Sequence, residues 1–265
     1  TAGLLTVENG LFSNTEEAQL FLVEGSPSYI GRVHEFWSGI WSAELKTAES
    51  IRTGKPQSKW DYSTMSREEL EKFFRGTFPG LTGLARKWAE KYDFSPCRAL
   101  LDAGGGSGAI SIALTEAYPG MRATVVELPA VTPYTQGFVD EAGAADRVEV
   151  FATDIVHGSL VGSFDIVILS AVLQVLSPDD ARAALVNIGK VMEPGGRIFI
   201  RGMGILDDSR LSPPEAVVHN LVFVNLYDDG QAYTKVEYEE WLLDAGFEDV
   251  TYPEDFLIIA RKSTS

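Results

Sequence analysis

The sequence predicts an α/β fold in which a doubly wound, mostly parallel seven-stranded sheet follows a mainly helical N-terminal region. Three observations lead to this prediction. From residue 98 onwards, short apolar segments of strand length alternate with amphipathic segments of helix length, as in a parallel sheet covered by helices on both faces. The last two apolar segments follow each other directly and resemble a terminal hairpin, which adds an antiparallel edge. The first 92 residues show no such alternation.

The N-terminal region carries local signals for a hairpin and several helices. A hairpin is predicted over residues 4–14, with Asn-Gly at its turn. Residues 29–52 carry aromatic side chains at helical spacing, which indicates a helix that packs against another helix. A capping box that begins at Ser66 starts a helix over residues 68–76, and a separate helix is predicted over residues 81–92.

The strands and helices of the sheet region are predicted in strict alternation. The strands are residues 98–102, 123–127, 148–152, 164–170 and 196–202, and the last two strands are DVTYP and DFLIIARK. The helices lie near residues 107–117, 131–142, 178–192 and 235–245. Five strands and a terminal pair give a seven-stranded sheet.

Composition excludes several classes of protein. The 265 residues have a net charge of −16, which repels phosphate backbones and makes a nucleic-acid partner unfavourable. The single cysteine, Cys97, allows neither an internal disulfide nor a zinc cluster, and favours a reducing, cytoplasmic compartment. No apolar run reaches the length of a membrane span. The chain begins without Met, and we expect a preceding segment.

The segment LLDAGGGSGAIS carries the strongest signal of a binding site. A strand ends at Asp102, a helix follows, and between them lie four glycines, Gly104, Gly105, Gly106 and Gly108. Glycines allow a tight turn and a close approach of the backbone to a ligand, and the helix N-terminus points its amides there. The alternative is a tight turn without a ligand, but a turn alone does not require four glycines.

Three carboxylates identify the ligand expected at this loop. GGGSGA also fits the dinucleotide pattern G-x-G-x-x-A. However, Asp102, Glu127 and Asp154 end or follow three successive strands. Carboxylates there suit an ammonium group, two ribose hydroxyls and an adenine amino group, whereas Asp102 would repel a pyrophosphate. We therefore predict S-adenosylmethionine as the cofactor. Further cofactor contacts are predicted at the neighbouring residues Leu128, Ile155 and Ser170.

Longer segments resemble the plant and bacterial small-molecule O-methyltransferase family. DAGGGSGAISIALTEAYPGMRATVVELPAV is similar to its first motif, VMEPGGRIFI to its strand-five motif, and TKVEYEEWLLDAGF to its T-x-x-E-W-x-x-L-L-x-x-A-G-F segment. GLFSNTEEAQLFLVEGS and FFRGTFPG resemble the region before the catalytic domain. The resemblance implies a Rossmann-like class I methyltransferase core that uses S-adenosylmethionine on a small molecule.

The resemblance also implies a domain organisation and an assembly. Residues 1–92 would be the remnant of a winged-helix dimerisation domain with a helical connector, in which residues 1–13 are only the terminal wing. Residues 93–265 would be the catalytic domain. A homodimer is expected, and we predict neither a metal, a nucleic acid nor a membrane as partner. The paired aspartates at 207–208 and 228–229 are predicted to lie in solvated loops.

Gln174 occupies the position at which the resembling family usually has a histidine that acts as general base. The two acidic residues that flank that histidine would fall at Gly202 and near Ala232. Glutamine cannot usefully accept a proton, so a positioning role follows for Gln174, with an acceptor that has no proton to lose. A thioether is the clearest case, and the branch of the family that methylates a methylthio-hydroxy acid in dimethylsulfoniopropionate synthesis is the preferred hypothesis.

Several alternatives remain open from the sequence. His219 could replace the missing base, which would restore an O-methyltransferase. A carboxylate, a tertiary amine or an already ionised group could also be the acceptor. An NAD-linked oxidoreductase and a non-catalytic relative that only binds the cofactor are further possibilities. A nucleic-acid methyltransferase usually has Asn-Pro-Pro-aromatic after the fourth strand, where this chain has SAVL.

Substrate contacts are expected before the sheet region and after its fifth strand. Arg75 could pair with a substrate carboxylate, or it could be a surface residue at a helix end. The predicted substrate-contacting residues are Tyr29, Trp37, Phe74, Arg75, Phe78, His219, Asn220, Phe223 and Tyr227.

Overall fold

The computed structural model describes residues 2–26 and 28–264. Its N-terminal region contains a hairpin followed by four helices. These elements are β1 (Leu5–Glu8), β2 (Leu11–Asn14), α1 (Glu16–Phe21), α2 (Val33–Glu44), α3 (Thr47–Thr53) and α4 (Arg67–Lys91). The hairpin turns at Asn9-Gly10, where both residues have positive φ, as predicted.

The remaining residues form the sheet and its covering helices. They are β3 (Ala99–Ala103), α5 (Ala109–Ala117), β4 (Arg122–Glu127), α6 (Thr132–Glu141), β5 (Val148–Ala152), β6 (Phe164–Ser170), α7 (Pro178–Gly189), β7 (Met192–Arg201), β8 (Ile205–Leu206), α8 (Pro214–Leu226), β9 (Tyr233–Thr234), α9 (Lys235–Asp244), β10 (Phe247–Glu254) and β11 (Leu257–Lys262). A short 3₁₀ helix, Leu173–Val175, lies between β6 and α7.

The seven-stranded sheet has the order β10-β11-β7-β6-β3-β4-β5. The five strands from β7 to β5 are parallel, and β11 runs antiparallel to both β7 and β10. Helices α7 and α9 contribute to the core on one face of the sheet, and α4, α5 and α6 contribute to the core on the other face. The predicted fold class is therefore confirmed.

Several elements differ from the prediction, most clearly at three places. Helix α4 is continuous over 25 residues and contains Pro79, because residues on one face of it, including Leu70 and Trp88, are buried both before and after the proline. The aromatic segment forms two helices, α2 and α3, instead of one. Strand β7 begins at Met192, because Pro194 disfavours helical backbone just before it.

Helices α2 and α3 attach the N-terminal region to α8. Ile40 and Ala43 of α2 share a buried apolar cluster with Val222 of α8. From α3, the Ser50 hydroxyl donates to the Asn225 Oδ1 oxygen at 2.7 Å in a buried bond. Helices α2 and α3 of the N-terminal region therefore pack directly against α8. None of the helices in the described ranges is both long and apolar enough to cross a membrane.

Candidate active site

The glycine loop connects β3 to α5 and lies against two neighbouring segments. Gly104 has φ +68°, and a Cβ at this position would lie 2.7 Å from the Val172 side chain. A Cβ at Gly105 would lie 2.6 Å from the Asp102 carboxyl carbon. Phe74 of α4 covers the loop, with its ring 3.0 Å from where a Cβ of residue 106 would be. The loop backbone is therefore held close to Asp102 and beneath an aromatic side chain.

Asp102 is only 1% exposed and has one free oxygen. Its Oδ2 accepts a hydrogen bond of 2.8 Å from the Ser111 hydroxyl. Its Oδ1 is buried and has no hydrogen-bond partner. Burial raises the pKa of Asp102 to about 6, and the Ser111 hydrogen bond lowers it in part. A buried carboxylate oxygen without a partner fits a ligand that brings a cation or a donor.

Glu127 is held by backbone amides at the end of the neighbouring strand. Its two oxygens accept from the Gly106 N–H at 2.9 Å and the Leu128 N–H at 2.8 Å. Burial raises its pKa to about 7, and the nearby charge of Asp102 adds a smaller increase. The glycine loop and Glu127 are therefore one hydrogen-bonded unit.

Asp154 follows β5 in a loop that is tied to α7. Its Oδ1 accepts from the Val156 N–H at 2.8 Å. Asn187, which the sequence did not suggest, donates to the carbonyls of Ile155, Val156 and Gly158 at 3.2, 3.2 and 2.9 Å. Side-chain amides on helix surfaces are common, so the sequence carried no signal for Asn187. Its bonds tie the loop after β5 to α7.

Four polar side chains lie on one face of the sheet at its carboxyl edge. Successive residues of a strand point to opposite faces, and Leu100, Val125, Ile168 and Phe199 all belong to the core beneath α4. The residues two positions further on share that face, and they are Asp102, Glu127, Ser170 and Arg201. The Ser170 hydroxyl oxygen is buried and has no hydrogen-bond partner. The edge thus has carboxylates at β3 and β4 and a cation at β7.

Gln174 lies in the short 3₁₀ helix after β6 and is 5% exposed. A Cβ at position 202 would collide with the Gln174 Oε1, so only glycine fits there beside this side chain in this conformation. A Cβ at Gly204 would lie 2.7 Å from the Gln174 Cβ and 3.4 Å from the Ala232 Cα. The structure therefore brings together Gln174, Gly202 and Ala232, where the family resemblance predicts a histidine and two acidic residues, and none of the three side chains is a base.

His219 lies one helical turn before Phe223 on α8, and the two rings meet edge to face at 5.2 Å. Burial lowers the pKa of His219, and the charge of Arg201 lowers it further. His219 and Trp37 both line a groove of about 510 Å³ between α2 and α8. Phe223 packs towards Gly204, beside Gln174. His219 therefore lies near Gln174 through its contact with Phe223, and it also faces the groove.

The other predicted substrate contacts divide into two groups. Phe74, Phe223 and Tyr227 surround the carboxyl edge, and the Tyr227 hydroxyl forms a hydrogen bond of 3.1 Å with the Tyr62 hydroxyl. Phe78 instead stacks on Phe138 with ring centroids 4.9 Å apart. The remaining two have local partners: the Asn220 Oδ1 accepts from the Ala232 N–H at 2.8 Å, and Tyr29 lies against Gly31.

The prediction that Arg75 binds a substrate carboxylate meets a structural obstacle. Its guanidinium donates to Glu71 at 2.8 Å and to both carboxylate oxygens of Glu141, at 2.5 and 2.6 Å. It also lies over the Phe138 ring, 4.3 Å from the centroid. These internal partners already satisfy the guanidinium, so Arg75 fastens α4 to α6 and is not free for a substrate.

An aromatic cluster that the sequence did not suggest lies near the site. Trp60, Tyr62 and Phe73 pack edge to face with centroids 5.6–6.5 Å apart. Burial raises the pKa of Tyr62, the neighbouring Tyr227 adds to this, and the charge of Glu127 contributes a smaller increase. Tyr62 therefore lies near the cofactor end of the edge. Two aromatic residues in the predicted loop KWDYS were the available signal.

The comparisons with known proteins agree with this architecture. The family model described as the O-methyltransferase domain matches residues 47–248. A 3-hydroxy-5-methyl-1-naphthoate 3-O-methyltransferase of Streptomyces sahachiroi is 31% identical over 257 residues, which are 94% of this chain and 73% of the relative.

The chain belongs to the O-methyltransferase-domain family.

Two further matches support this assignment. An S-adenosyl-L-methionine-dependent methyl transferase, PigF, of a Serratia strain is 28% identical over 99% of this chain and 79% of its own length. An O-methyltransferase family protein from Burkholderia thailandensis shares the fold, with a TM-score of 0.84, 21% identity and coverage of 99% and 81% of the two chains.

This member of the family is an S-adenosylmethionine-dependent methyltransferase. The predicted enzyme class and the predicted cofactor are therefore confirmed. The comparisons give no support to the S-methyltransferase branch, since relatives such as the naphthoate enzyme and an L-tyrosine C(3)-methyltransferase are named for transfer to oxygen or carbon. Residues 2–26 and 28–264 contain no cluster of three or more His, Cys, Asp or Glu side chains that could hold a metal.

Proposed function

We propose that this family member transfers a methyl group from S-adenosylmethionine to an oxygen of a small molecule, without a general base at position 174. The observation that carries the proposal is the Gln174 side chain, which occupies the space next to Gly202 where the family's acidic residue would begin. A histidine–carboxylate pair cannot form there. The acceptor must therefore reach the site ionised, or lose its proton to another group.

The cofactor half of the proposal rests on Asp102 and Glu127. The unpartnered Oδ1 of Asp102 is placed to accept from the cofactor's ammonium group, and Glu127 to accept from ribose hydroxyls. Leu128 and Ile155 are the proposed apolar neighbours of the adenine, with Asp154 near its amino group. The bound cofactor supplies a methyl group on a sulfonium sulfur, and loss of that methyl group leaves S-adenosylhomocysteine.

The named relatives favour oxygen over sulfur as the acceptor atom. Transfer to a thioether would also need no base, but several relatives are named for transfer to oxygen and the L-tyrosine C(3)-methyltransferase for transfer to carbon. An ionised aromatic hydroxyl serves both reactions, because the negative charge is shared between the oxygen and the ring carbons beside it. An aromatic hydroxy compound is thus the proposed acceptor class, and Gln174 orients it by hydrogen bonding.

A second candidate uses His219 as a relocated base. Because burial and Arg201 lower its pKa, His219 is neutral near pH 7 and able to accept a proton. The ordinary pKa of a phenol is about 10, and general-base help contributes roughly 10²–10⁴ in rate. The substitution His219→Ala separates this candidate from the first.

The pH dependence of the transfer rate tests the proposal. Labelled S-adenosylmethionine is supplied with a panel of hydroxynaphthoates, phenols and thioethers, and the best acceptor is followed for wild type, Gln174→Ala and His219→Ala. We expect the rate to rise as the pH increases through the pKa of the acceptor hydroxyl. This rise should move to lower pH when a more acidic hydroxyl is used. Gln174→Ala should lower kcat/KM by an amount that corresponds to about 1–2 kcal/mol of transition-state stabilisation, the scale of a lost hydrogen bond.

Three results would reject part of this proposal. A histidine-like limb in the pH profile that disappears in His219→Ala would establish the relocated base. A pH-independent rate with a thioether acceptor would restore S-methylation. Binding of S-adenosylhomocysteine without transfer to any acceptor would indicate a non-catalytic relative.

We also propose that the chain is a homodimer, with residues 1–92 as the dimerisation and connector region and residues 93–265 as the catalytic domain. Apolar side chains on the hairpin and α2 are exposed, among them Phe12 at 71% and Trp41 at 66%, and large exposed apolar groups favour association. Light scattering of the purified chain tests this: a strict monomer at all concentrations would contradict it. A cytoplasmic location remains a prediction.

A further inference from the structure

Arg201 ends β7 in a position where a charge is difficult to leave unpaired. It is half-buried, and desolvation lowers its pKa. In the part of the chain that the structure describes, its guanidinium has no hydrogen bond and no ion pair, whereas Arg75 and Arg261 each bind two carboxylates. The chain has 38 acidic and 22 basic residues, so carboxylates are not scarce.

The neighbouring strand offers a second polar group without a partner. Ser170 and Arg201 are paired in the parallel ladder of β6 and β7, and their side chains share the face beneath α4. The Ser170 hydroxyl oxygen is buried and unpartnered. Buried polar groups usually have partners, so a donor hydroxyl beside an unpaired guanidinium indicates a bound group that supplies acceptor oxygens.

The position along the sheet indicates which ligand that group belongs to. The edge runs from β4 to β3, β6 and β7, and the carboxylates Asp102 and Glu127 occupy its first two strands. Arg201 lies two strands from β3, next in sequence to Gly202, which contacts Gln174. The charge of Arg201 also acts on His219. Arg201 therefore lies on the side of the proposed methyl acceptor.

We propose that Arg201 is the counter-ion of an oxygen anion on the methyl acceptor. The Ser170 hydroxyl, which the sequence predicted as a cofactor contact, would be a further donor to that anion. This inference rests on the proposed function and names its substrate class, an acidic hydroxy compound. The anion is either the oxygen that receives the methyl group or a carboxylate beside it. A guanidinium with such a partner forms strong charge-assisted hydrogen bonds.

Where the anion is the oxygen that receives the methyl group, the proposal explains how transfer proceeds without a base at position 174. The acceptor's proton passes to water before binding, because Arg201 stabilises the ionised form in the site. The anionic oxygen then bonds to the methyl carbon as the carbon–sulfur bond breaks, and that electron pair stays on sulfur. One negative and one positive charge are lost together, so no proton must be taken up within the site.

Binding of two kinds of probe tests the proposal without turnover. Protein saturated with S-adenosylhomocysteine is titrated by calorimetry with a hydroxynaphthoate and with its methyl ester, which reports a carboxylate partner. A nitrophenol is titrated separately, because the visible absorbance of its phenolate reports an ionised hydroxyl. We expect wild type to bind the acid about tenfold or more tightly than the ester, or to raise the ratio of phenolate to phenol in the bound nitrophenol by a similar factor over that in solution.

The variants separate the charge of Arg201 from its other roles. Arg201→Met should abolish both preferences, and Arg201→Lys should retain part of them. Arg197→Met is the matched control, because Arg197 lies on the same strand and face but donates to the Asp93 carbonyl, away from the carboxyl edge. It should leave both preferences unchanged.

The outcomes distinguish this inference from the proposed function. Failure of wild type to bind S-adenosylhomocysteine would reject the proposed function. Normal binding of that product with no preference for either anionic probe, or with preferences that persist in Arg201→Met, would overturn the role of Arg201. A selective loss of S-adenosylhomocysteine affinity in Arg201→Met would assign the guanidinium to the cofactor and would equally overturn the proposal.

Discussion

The two halves of the carboxyl edge differ in how their polar groups are held. In the cofactor half, Glu127 binds two backbone amides and Asp102 binds Ser111. In the acceptor half, Ser170, Gln174 and Arg201 make no side-chain hydrogen bonds to the residues that the structure describes. The carboxylates of the first half are held by partners up to 21 residues away in the sequence. The donors of the second half are left for the acceptor that we propose.

The largest expected effect tests whether the cofactor half depends on its glycine loop. In Gly104→Ala, a Cβ would meet the Val172 side chain at 2.7 Å in left-handed backbone. We expect S-adenosylhomocysteine affinity to fall by about 3 kcal/mol, because strain and overpacking displace the loop. Calorimetry measures the change.

Gly143→Ala provides the control for that substitution. Gly143 has a similar φ of +60°, but a Cβ there meets nothing within 4 Å. It should lower the free energy of unfolding by about 1–2 kcal/mol through backbone strain alone and leave the affinity unchanged. Equal effects of both substitutions on affinity would show that the loop contact is unimportant.

The second prediction concerns the ionisation of the cofactor half. The pKa values of about 7 for Glu127 and about 6 for Asp102 exceed their ordinary values because of burial. A cofactor that pairs with the ionised forms binds fully above these values, so its affinity should decline as pH falls through about 7 and then about 6. Calorimetry across pH measures this decline.

Glu127→Gln should remove the upper step of that decline and weaken binding by about 1–3 kcal/mol at high pH, since a charged acceptor is lost. Glu149→Gln, on the exposed edge strand β5, is the matched control. An affinity that does not change between pH 8 and pH 5 would contradict the pKa values on which the prediction rests.

The third prediction examines the packing in the acceptor half. Gly202→Ala places a methyl group on the Gln174 amide, and we expect it to lower the free energy of unfolding by about 1 kcal/mol. The cost should fall in the Gln174→Ala background, with a coupling of about 0.5–1 kcal/mol. Urea unfolding of the four proteins measures it. Gly137→Ala, where a Cβ meets nothing, is the control, and strictly additive effects would argue against the contact.

The smallest expected effect concerns Arg75, which the sequence placed in the acceptor half. Arg75→Gln should lower the free energy of unfolding by about 1 kcal/mol or less, because its partners Glu71 and Glu141 are partly exposed. The KM of an acidic acceptor should not change. A tenfold rise in that KM at unchanged stability would return Arg75 to the site.

The sequence by itself determined the fold class, the strand positions and the carboxylates of the cofactor half. These features are local: alternating hydrophobicity, glycines after a strand, and acidic residues at strand ends. It also placed Gln174 after a recognisable strand, at the position where the family resemblance implies a histidine. The continuity of α4 was not visible, since a proline and a glycine locally favour a break and only burial along the helix overrides them.

Tertiary structure decided which of two arginines is left without a carboxylate partner. Arg75 and Arg201 are both arginines near aromatic or apolar segments, and nothing local shows which one has carboxylate partners. The packing of α4 on α6 gives Arg75 its partner Glu141, 66 residues away in the sequence. The end of β7 gives Arg201 none. A charge takes its role from the neighbours that folding brings to it, so that assignment depends on long-range packing.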